Sequence, residues 1–306
     1  MPSHLKELVR ARMEKTGESY QQALRHVRAQ EERAPTVAST SPADERIARS
    51  RTVADTAFSI AVVRAEEGGR PEGERLFVDP FASAFAAAGA HAAESTQRFL
   101  DMPFFRDGVR LRTRFLDDCV RDGLAAGLDQ LVLLGAGFDA RGLRMTEIEA
   151  RRARVFEVDT PYQLDRKRRA LASAGIELPA HVVYVPFDFD TAEADFDGEL
   201  GGALEMGGFR RGAGAMFVWE GVIGYIDDAE IDQSLRFMAS AGGPRSRVAV
   251  TFADEAYLGH EAMAARTKRC GFASFEALAG DALWRKYLPG EPYPTAWVTK
   301  VGLATV

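Results

Sequence analysis

The sequence predicts an α/β fold built on a doubly wound, mostly parallel sheet, and two observations carry this prediction. From residue 130 onward, short apolar runs typical of buried strands alternate with longer segments of helical periodicity. The first apolar run, 131–134, leads directly into a glycine turn, "GAGFDA". A strand, a glycine turn and a helix in this order are typical of a nucleotide-binding crossover, in which helices cover both faces of a parallel sheet.

The part of the chain before this turn is predicted to be helical. Residues 1–32 contain two short apolar stripes and predict a helical hairpin. A hairpin of this size cannot bury a core alone, so we expect it to pack on the main body, on a second copy of the chain or on another protein. Residues 33–46, rich in Pro, Ser, Thr and Ala, predict a linker to one large domain at 47–306. Within that domain, the first helices are predicted at roughly 50–67, 80–90 and 106–126.

The second half of the domain contains the predicted sheet. Strands are predicted at 130–134, 153–159, 181–188, 215–221 and 246–253, with further β-structure at 295–306. Helices are predicted between them at 140–149, 161–175 and 227–241, and the glycine-rich segment 201–214 is predicted to be an irregular connection. In such a sheet we expect the ligand at the carboxyl ends of the first strands, where the strand order reverses.

Composition excludes several classes of function. The chain has 306 residues, 46% of them hydrophobic, and a formal net charge of −6, so no strong attraction to nucleic acid or to anionic lipid is expected. No apolar stretch approaches the roughly 20 residues of a membrane span, and no signal peptide is apparent. The five histidines are scattered, which argues against a metal site, and the two distant cysteines, Cys119 and Cys270, fit a reducing compartment. We therefore expect a cytoplasmic protein.

Acidic residues follow three of the predicted strands. Asp159 ends the second strand, 22 residues after Gly137, where an acid can accept hydrogen bonds from ribose hydroxyls. Asp188 follows the third strand and could accept from the exocyclic amine of a base, whereas Glu220 follows the fourth and could accept from an ammonium group. Each has a structural alternative: a helix cap for Asp159, a solvated loop acid for Asp188 and a buried ion pair for Glu220.

Two arginines on the helix before the first strand, Arg112 and Arg114, are candidates for a carboxylate site. Either guanidinium could form a planar pair with a ligand carboxylate. The alternative is a surface salt bridge with Asp117 or Asp118, since Arg114 and Asp118 are four residues apart on the helix.

The glycine turn fits two cofactors. Gly135, Gly137 and Ala140 match the G-x-G-x-x-G/A pattern of dinucleotide enzymes, and the same glycines match the turn that holds S-adenosyl-L-methionine in methyltransferases. Asp139, at the start of the following helix, would compete with a pyrophosphate for the helix N–H groups and repel its charge. S-adenosyl-L-methionine has no phosphate, so the acidic crevice favours it. The alternatives are an NAD(P)-dependent oxidoreductase and a non-catalytic binding protein that uses the hairpin as its interaction module.

Six ordered blocks of sequence resemble a known family over roughly residues 50–306. They are "TAFSIAVVRAEEGGRPEGERLFVDPFA", "RTRFLDD", "LVLLGAGFDARGLRM", "FEVDTPYQLDRKRRAL", "VPFDF" and "WEGVIGYI". They are similar to the leucine carboxyl methyltransferase superfamily, specifically to its bacterial branch of polyketide-type O-methyltransferases. The resemblance implies a seven-stranded, Rossmann-like class I methyltransferase fold with S-adenosyl-L-methionine as methyl donor.

The resemblance also implies roles for individual residues. Arg112 would bind the methionyl carboxylate, Gly135 would line the turn under the methionyl part, and Asp159 would hold the ribose hydroxyls. Asp188 and Phe189 would flank the adenine, and Glu220 would face the methionyl ammonium.

The chain departs from the family pattern at two positions. Val78 precedes Asp79 where members that methylate a protein C-terminus have a basic residue, and Ala140 stands where relatives often have threonine. We therefore expect methyl transfer to a carboxylate or phenol oxygen of a small-molecule, polyketide-like or peptide acceptor. No catalytic base is predicted, because the histidine closest to the blocks, His181, starts the third strand at the wrong end of the sheet.

Overall fold

The structure, a computed structural model, describes residues 42–189, 195–253, 260–296 and 299–306. Within these ranges the centre is a sheet of seven strands: β1 (Gln130–Leu134), β2 (Arg154–Asp159), β3 (Val182–Pro186), β4 (Met216–Trp219), β5 (Arg247–Ala253), β6 (Ser274–Ala279) and β7 (Thr299–Thr305). The order is β3-β2-β1-β4-β5-β7-β6. Strands β1 to β5 pair in parallel, and β7 runs antiparallel to both β5 and β6. The predicted fold class is confirmed, and the strand order reverses between β1 and β4.

Helices cover both faces of this sheet. In the described part of the chain they are α1 (Pro42–Gly68), α2 (Ala82–Ala88), α3 (Ala93–Leu100), α4 (Phe105–Ala125), α5 (Arg141–Arg144), α6 (Thr146–Ala150), α7 (Pro161–Ser173), α8 (Gly201–Met206), α9 (Asp228–Gly242), α10 (His260–Arg269) and α11 (Gly280–Tyr287). None of the described helices is both long and apolar enough to cross a membrane.

Strand β1 explains why the sequence signal of the sheet is strongest there. All five of its residues are buried. Leu131 and Leu133 pack in one core with apolar residues of α4, whereas Val132 and Leu134 pack in a second core with α9 on the opposite face. Because successive side chains of a strand point to opposite faces, burial on both sides requires an uninterrupted apolar run.

Helix α1 packs directly on the glycine turn that follows β1. Phe138, in that turn, places its ring centroid 4.9 Å from that of Phe58 on α1 and 5.1 Å from that of Phe85 on α2. These residues belong to a separate apolar cluster that also contains Ala61. The turn is therefore held between the sheet and α1, which makes α1 a wall of any site at this edge.

Two predictions about secondary structure in the second half of the domain were wrong. The predicted helix 140–149 is broken at Met145, whose extended backbone (ψ 99°) separates α5 from α6. The segment 201–214, predicted as irregular, begins with α8, which continues a helical turn at Phe196–Leu200.

Differences also occur at one edge of the sheet and at the start of the described chain. Strand β6 was not predicted, because it is an edge strand whose residues are half-exposed or exposed and lack a buried apolar run. Helix α1 begins at Pro42, so residues 42–46 are helical rather than linker. The predicted hairpin, 1–32, lies outside the described residues.

Candidate functional site

A cleft of about 270 Å³ opens at the carboxyl ends of β1 to β4, where the strand order reverses. Its walls are the turn after β1, the C-terminal ends of β2 and β4, the segment 221–226 and one side of α1. The residues predicted as cofactor ligands all line this cleft: Arg112, Gly135, Gly137, Asp159, Asp188, Phe189 and Glu220. The predicted location of the site therefore agrees with the fold.

The turn after β1 leaves no room for a side chain at Gly135. Gly135 and Gly137 have φ angles of 68° and 50°, in the left-handed region that favours glycine. A Cβ on Gly135 would lie 2.3 Å from Cγ2 of Val222. The amides of Gly135 and Ala136 both donate to the carbonyl oxygen of Val158, at 2.8 and 3.0 Å. The turn is thus tied to β2 and presents bare backbone to the cleft.

Asp159 is positioned by two backbone amides. Its Oδ2 accepts from Gly137 N and its Oδ1 from Thr160 N, both at 2.7 Å. Burial raises the pKa of this carboxyl to about 6, although both hydrogen bonds act in the opposite direction. The side chain of Thr160, not Asp159, caps α7, by accepting from Gln163 N at 3.3 Å. Asp159 therefore retains acceptor capacity toward the cleft on each oxygen.

Glu220 forms the centre of an arginine cluster. Its Oε1 accepts from Arg64 Nη2 at 3.1 Å and from Arg112 Nε at 2.9 Å, and its Oε2 accepts from Arg64 Nη2 and Arg141 Nη1, both at 3.0 Å. Burial alone would raise the pKa of Glu220, but Arg64, Arg141 and Arg112 outweigh it and hold the pKa well below its usual range. All four acceptor positions are occupied, so an ammonium could bind Glu220 only in place of one of these donors.

Arg141 extends this cluster beneath the turn. Its guanidinium is fully buried and also pairs with Asp139 and with Asp117, whose Oδ1 lies 2.8 Å from Nε. Asp139 in addition accepts from the backbone N of Arg141 at 2.7 Å. Asp139 thus occupies an amide that a phosphate would need, but its charge is balanced by Arg141. The predicted charge repulsion by Asp139 is therefore offset by Arg141, and the occupied amide at the start of the short helix α5 is what disfavours a pyrophosphate.

Asp188 and Phe189, which follow β3, differ in exposure. Phe189 is buried, with its ring centroid 5.2 Å from that of Phe187, whereas Asp188 lies exposed at the rim of the cleft. Of the arginines on α4, Arg112 reaches the cleft and Arg114 does not. Arg114 Nε instead pairs with Asp118 Oδ1 at 3.0 Å, which is the predicted alternative.

The remaining walls are largely apolar. Ile60, Phe99, Phe105 and Ile226 line the cleft. The hydroxyl groups of Thr56 and Tyr225 lie 3.0 Å apart. Among the described lining residues there is no histidine, lysine or cysteine, and the described ranges contain no group of three or more His, Cys, Asp or Glu side chains that could hold a metal ion.

Sequence reasoning missed three polar residues of the cleft and its floor. Arg64 could have been found, because it is a lone cation directly after the apolar stretch 60–63 of a helix. Arg141 and Gln163 have no comparable signal: their importance depends on contacts between distant segments.

Comparison with known proteins agrees with this geometry. The sequence profile of the family "Leucine carboxyl methyltransferase" matches residues 57–239. A protein of Streptomyces coelicolor, provisionally named an S-adenosyl-L-methionine-dependent methyltransferase, is 33% identical over 205 residues, which cover 64% of this chain and 68% of that protein. A Frankia alni protein with the same provisional description is 29% identical over 259 residues, 81% of each chain. A solved structure of a provisionally named methyltransferase from Thermobifida fusca has a TM-score of 0.48 and 19% identity over 72% of this chain and 87% of that one.

The family profile and the two related sequences do not favour the alternative of an NAD(P)-dependent oxidoreductase, and they confirm the resemblance that the six sequence blocks indicated. The profile match covers more than half of the chain and includes the glycine turn, Asp159 and Glu220. The chain belongs to the leucine carboxyl methyltransferase family, and the predicted S-adenosyl-L-methionine-dependent methyltransferase class is confirmed.

Proposed function

We propose that this protein transfers the methyl group of S-adenosyl-L-methionine to a carboxylate oxygen of a small acceptor with an apolar body. The observation that carries the choice of acceptor is the composition of the cleft, which combines apolar walls with acids and arginines and, among its described residues, lacks histidine, lysine and cysteine. A carboxylate is ionised at neutral pH and needs no general base, whereas a phenol, with a pKa near 10, would benefit from one, and the acids of this cleft are assigned below to the cofactor.

We assign the nucleoside part of the cofactor to the ends of β2 and β3. Asp159, with one open acceptor position on each oxygen, would take the two ribose hydroxyls. Phe189 would contact the face of the adenine and Asp188 its amine, since both line the same end of the cleft as Asp159. The backbone of Gly135 and Gly137 would lie under the sugar and the methionyl chain.

We assign the methionyl part to the arginine cluster. Arg112 is held to Glu220 through Nε alone, and among the described contacts its two Nη groups have no partner. Arg112 would turn these groups to the methionyl carboxylate, and the position it leaves on Oε1 of Glu220 would accept the methionyl ammonium. Arg64 and Arg141 would keep Glu220 ionised and in place during this exchange.

The chemistry is a single displacement. A carboxylate oxygen attacks the methyl carbon in line with the carbon–sulfur bond, which breaks, so that a methyl ester and neutral S-adenosylhomocysteine are formed. The contribution of the protein is to place the two reactants at about 3–3.5 Å and to exclude water.

Two ligands related to the cofactor, one with and one without the amino-acid group, test the assignment of the methionyl part. The affinities of S-adenosylhomocysteine and of 5′-methylthioadenosine, which lacks the amino-acid group, are measured by calorimetry. Arg112→Met should weaken the first about tenfold or more and leave the second unchanged, whereas Asp159→Ala should weaken both. Arg114→Met, on the same helix but outside the cleft, is the matched control. Equal losses for both ligands in Arg112→Met would refute the assignment.

The acceptor class is tested by the stability of the product. The protein is incubated with methyl-labelled cofactor and a panel of apolar carboxylic acids and phenols of matched size. A methyl ester releases labelled methanol in mild alkali, whereas a phenyl ether or a methylated amine does not. Alkali-stable label in the favoured product would overturn the carboxylate proposal while leaving the methyltransferase class intact.

A further inference from the structure

Gln163 is a buried polar side chain on the wall of the cleft that has no hydrogen-bond partner. Its side chain is 3% exposed, and it lines the cleft together with Asp159 and Thr160. Neither its Oε1 nor its Nε2 is hydrogen-bonded within the described part of the chain. A buried amide without partners carries a desolvation cost of about 1–3 kcal/mol, and a ligand in the cleft that hydrogen-bonds this amide would offset that cost.

A second buried glutamine shows how the same side chain behaves in a structural role. Gln130, 2% exposed at the start of β1, donates from Nε2 to the carbonyl oxygens of Arg210 and Gly214, at 3.1 and 3.0 Å. Its Oε1 accepts from the backbone N of Arg210 at 2.6 Å. Gln130 does not line the cleft and has its hydrogen bonds satisfied by protein, whereas Gln163 lines the cleft and has none.

We propose that Gln163 is a further cofactor-binding residue, whose amide hydrogen-bonds the ribose hydroxyls beside Asp159; this rests on the proposed use of S-adenosyl-L-methionine. Gln163 lies in the first turn of α7, four residues after Asp159. Side chains of a helix lean toward its N-terminus, which here is the end occupied by Asp159. The last torsion of glutamine is soft, so the amide can turn toward a ligand that enters the cleft.

The chemistry of a ribose diol fits this pair of residues. Asp159, once ionised, can only accept hydrogen bonds. It therefore accepts a hydrogen bond from each ribose hydroxyl and leaves the oxygen lone pairs of the diol without a donor. The Nε2 group of Gln163 supplies the missing donor. Its neutral amide adds no charge beside Asp159, whereas a lysine or arginine at this position would form an ion pair and compete with the ligand.

The test compares Gln163→Met with Gln130→Met, because methionine has nearly the shape of glutamine but forms no comparable hydrogen bonds. Thermal unfolding is measured without ligand, and affinity is measured by calorimetry for S-adenosylhomocysteine and its 2′-deoxy and 3′-deoxy analogues. Gln163→Met should weaken S-adenosylhomocysteine about tenfold, the effect of one lost hydrogen bond. The same substitution should not weaken the affinity of the deoxy analogue that lacks the contacted hydroxyl. The midpoint of thermal unfolding of Gln163→Met should be equal to or above that of the unchanged protein. Gln130→Met should lower the midpoint and leave the affinity intact.

Three outcomes would overturn the assignment. Unchanged affinity in Gln163→Met excludes the contact, and a raised KM for the acceptor in the same variant would move Gln163 to the acceptor site. An equal loss for all three ligands excludes the ribose. A fall in the unfolding midpoint comparable to that of Gln130→Met indicates a structural role. Failure of the unchanged protein to bind S-adenosylhomocysteine refutes the proposed function itself and the ribose assignment with it.

Discussion

Because the pKa of Asp159 is raised, we predict that cofactor affinity decreases when the pH is lowered from 7 to 5. Most carboxylates remain ionised over this range. Only the ionised carboxylate can accept from both ribose hydroxyls, and the ligand-free pKa is about 6. The ionised fraction is then about 0.9 at pH 7 and about 0.1 at pH 5. The dissociation constant of S-adenosylhomocysteine should therefore rise about tenfold between these two pH values.

The stability of the ligand-free protein should change in the opposite direction, because the pKa of the same carboxyl is raised by folding. The pKa of Asp159 is higher in the folded state than the ordinary value of 3.8 expected in the unfolded chain. Between pH 4 and 6 the folded state therefore binds more protons, so this group makes the protein more stable as the pH falls through 6. The difference of about two between the folded and unfolded pKa values corresponds to about 3 kcal/mol. Above pH 6 the ionised Asp159 lowers the free energy of unfolding by this amount, and below about pH 4 the effect is absent.

Calorimetry and urea unfolding at pH 5, 6 and 7 measure both effects, with Asp159→Asn as the control that cannot titrate. Affinity should decrease and stability should increase on acidification in the unchanged protein relative to Asp159→Asn. Other carboxylates titrate in both proteins, so the difference between the two isolates this residue. A pH dependence of affinity that persists in Asp159→Asn, or is absent in the unchanged protein, would refute the reasoning.

Further predictions concern the buried charges and the turn. Arg141→Met leaves Glu220 and two other acids without their shared cation and should cost about 3–5 kcal/mol in urea unfolding; a loss below 1 kcal/mol would contradict the pairing. Gly135→Ala forces a left-handed alanine against Val222 and should cost about 1–3 kcal/mol; Val222→Ala should partly restore stability in that background, and no recovery would exclude the clash. Lys167→Met leaves the fully buried Glu157, whose Oε2 lies 2.5 Å from Nζ of Lys167, without its cation. It should cost about 3–5 kcal/mol, and adding Glu157→Gln should recover part of the loss; additive effects of the two changes would refute the pairing.

The sequence predicted the residues of this site that occupy fixed places in a parallel sheet. Asp159, Asp188 and Glu220 lie at or just after strand ends, and strand ends can be located from apolar runs such as 131–134. The carboxyl ends of parallel strands meet at one edge, so these acids had to converge. The same reasoning located Gly135 and Gly137.

The residues that escaped prediction depend on the packing of helices on the sheet. Arg64 reaches Glu220 across 156 positions in the chain, because α1 lies against the turn after β1. The helical pattern of α1 predicts its buried face but not the element that covers it. Gln163 is one of several polar residues in the first turns of α7, and only its missing partners distinguish it. Strand β6 escaped for another reason: at the edge of the sheet, half-exposed residues replace the apolar run.

The balance of charges in the cluster bears on the choice of acceptor. Four arginines and four acids are joined by the ion pairs beneath the cleft, namely Arg64, Arg112, Arg141 and Arg144 with Asp79, Asp117, Asp139 and Glu220. Their formal charges cancel, and the methionyl group, with one ammonium and one carboxylate, leaves the balance unchanged. The cluster therefore contributes no net charge toward the sulfonium, and Asp159 and Asp188 are the other acids that line the cleft.

An ionised carboxylate acceptor would be attracted directly by the sulfonium, and the displacement would convert the two reacting charges into neutral products. Charges attract more strongly next to apolar walls than in water, so Ile60, Phe99, Phe105 and Ile226 should favour the encounter of sulfonium and carboxylate. A neutral phenol has no such attraction to the sulfonium until its proton is lost, and the described lining includes no histidine or lysine to take that proton. The neutral product pair loses this attraction, which also favours release of the ester. The attraction between sulfonium and carboxylate, and the lack of histidine and lysine among the described lining residues, both support the proposed acceptor, an apolar carboxylic acid.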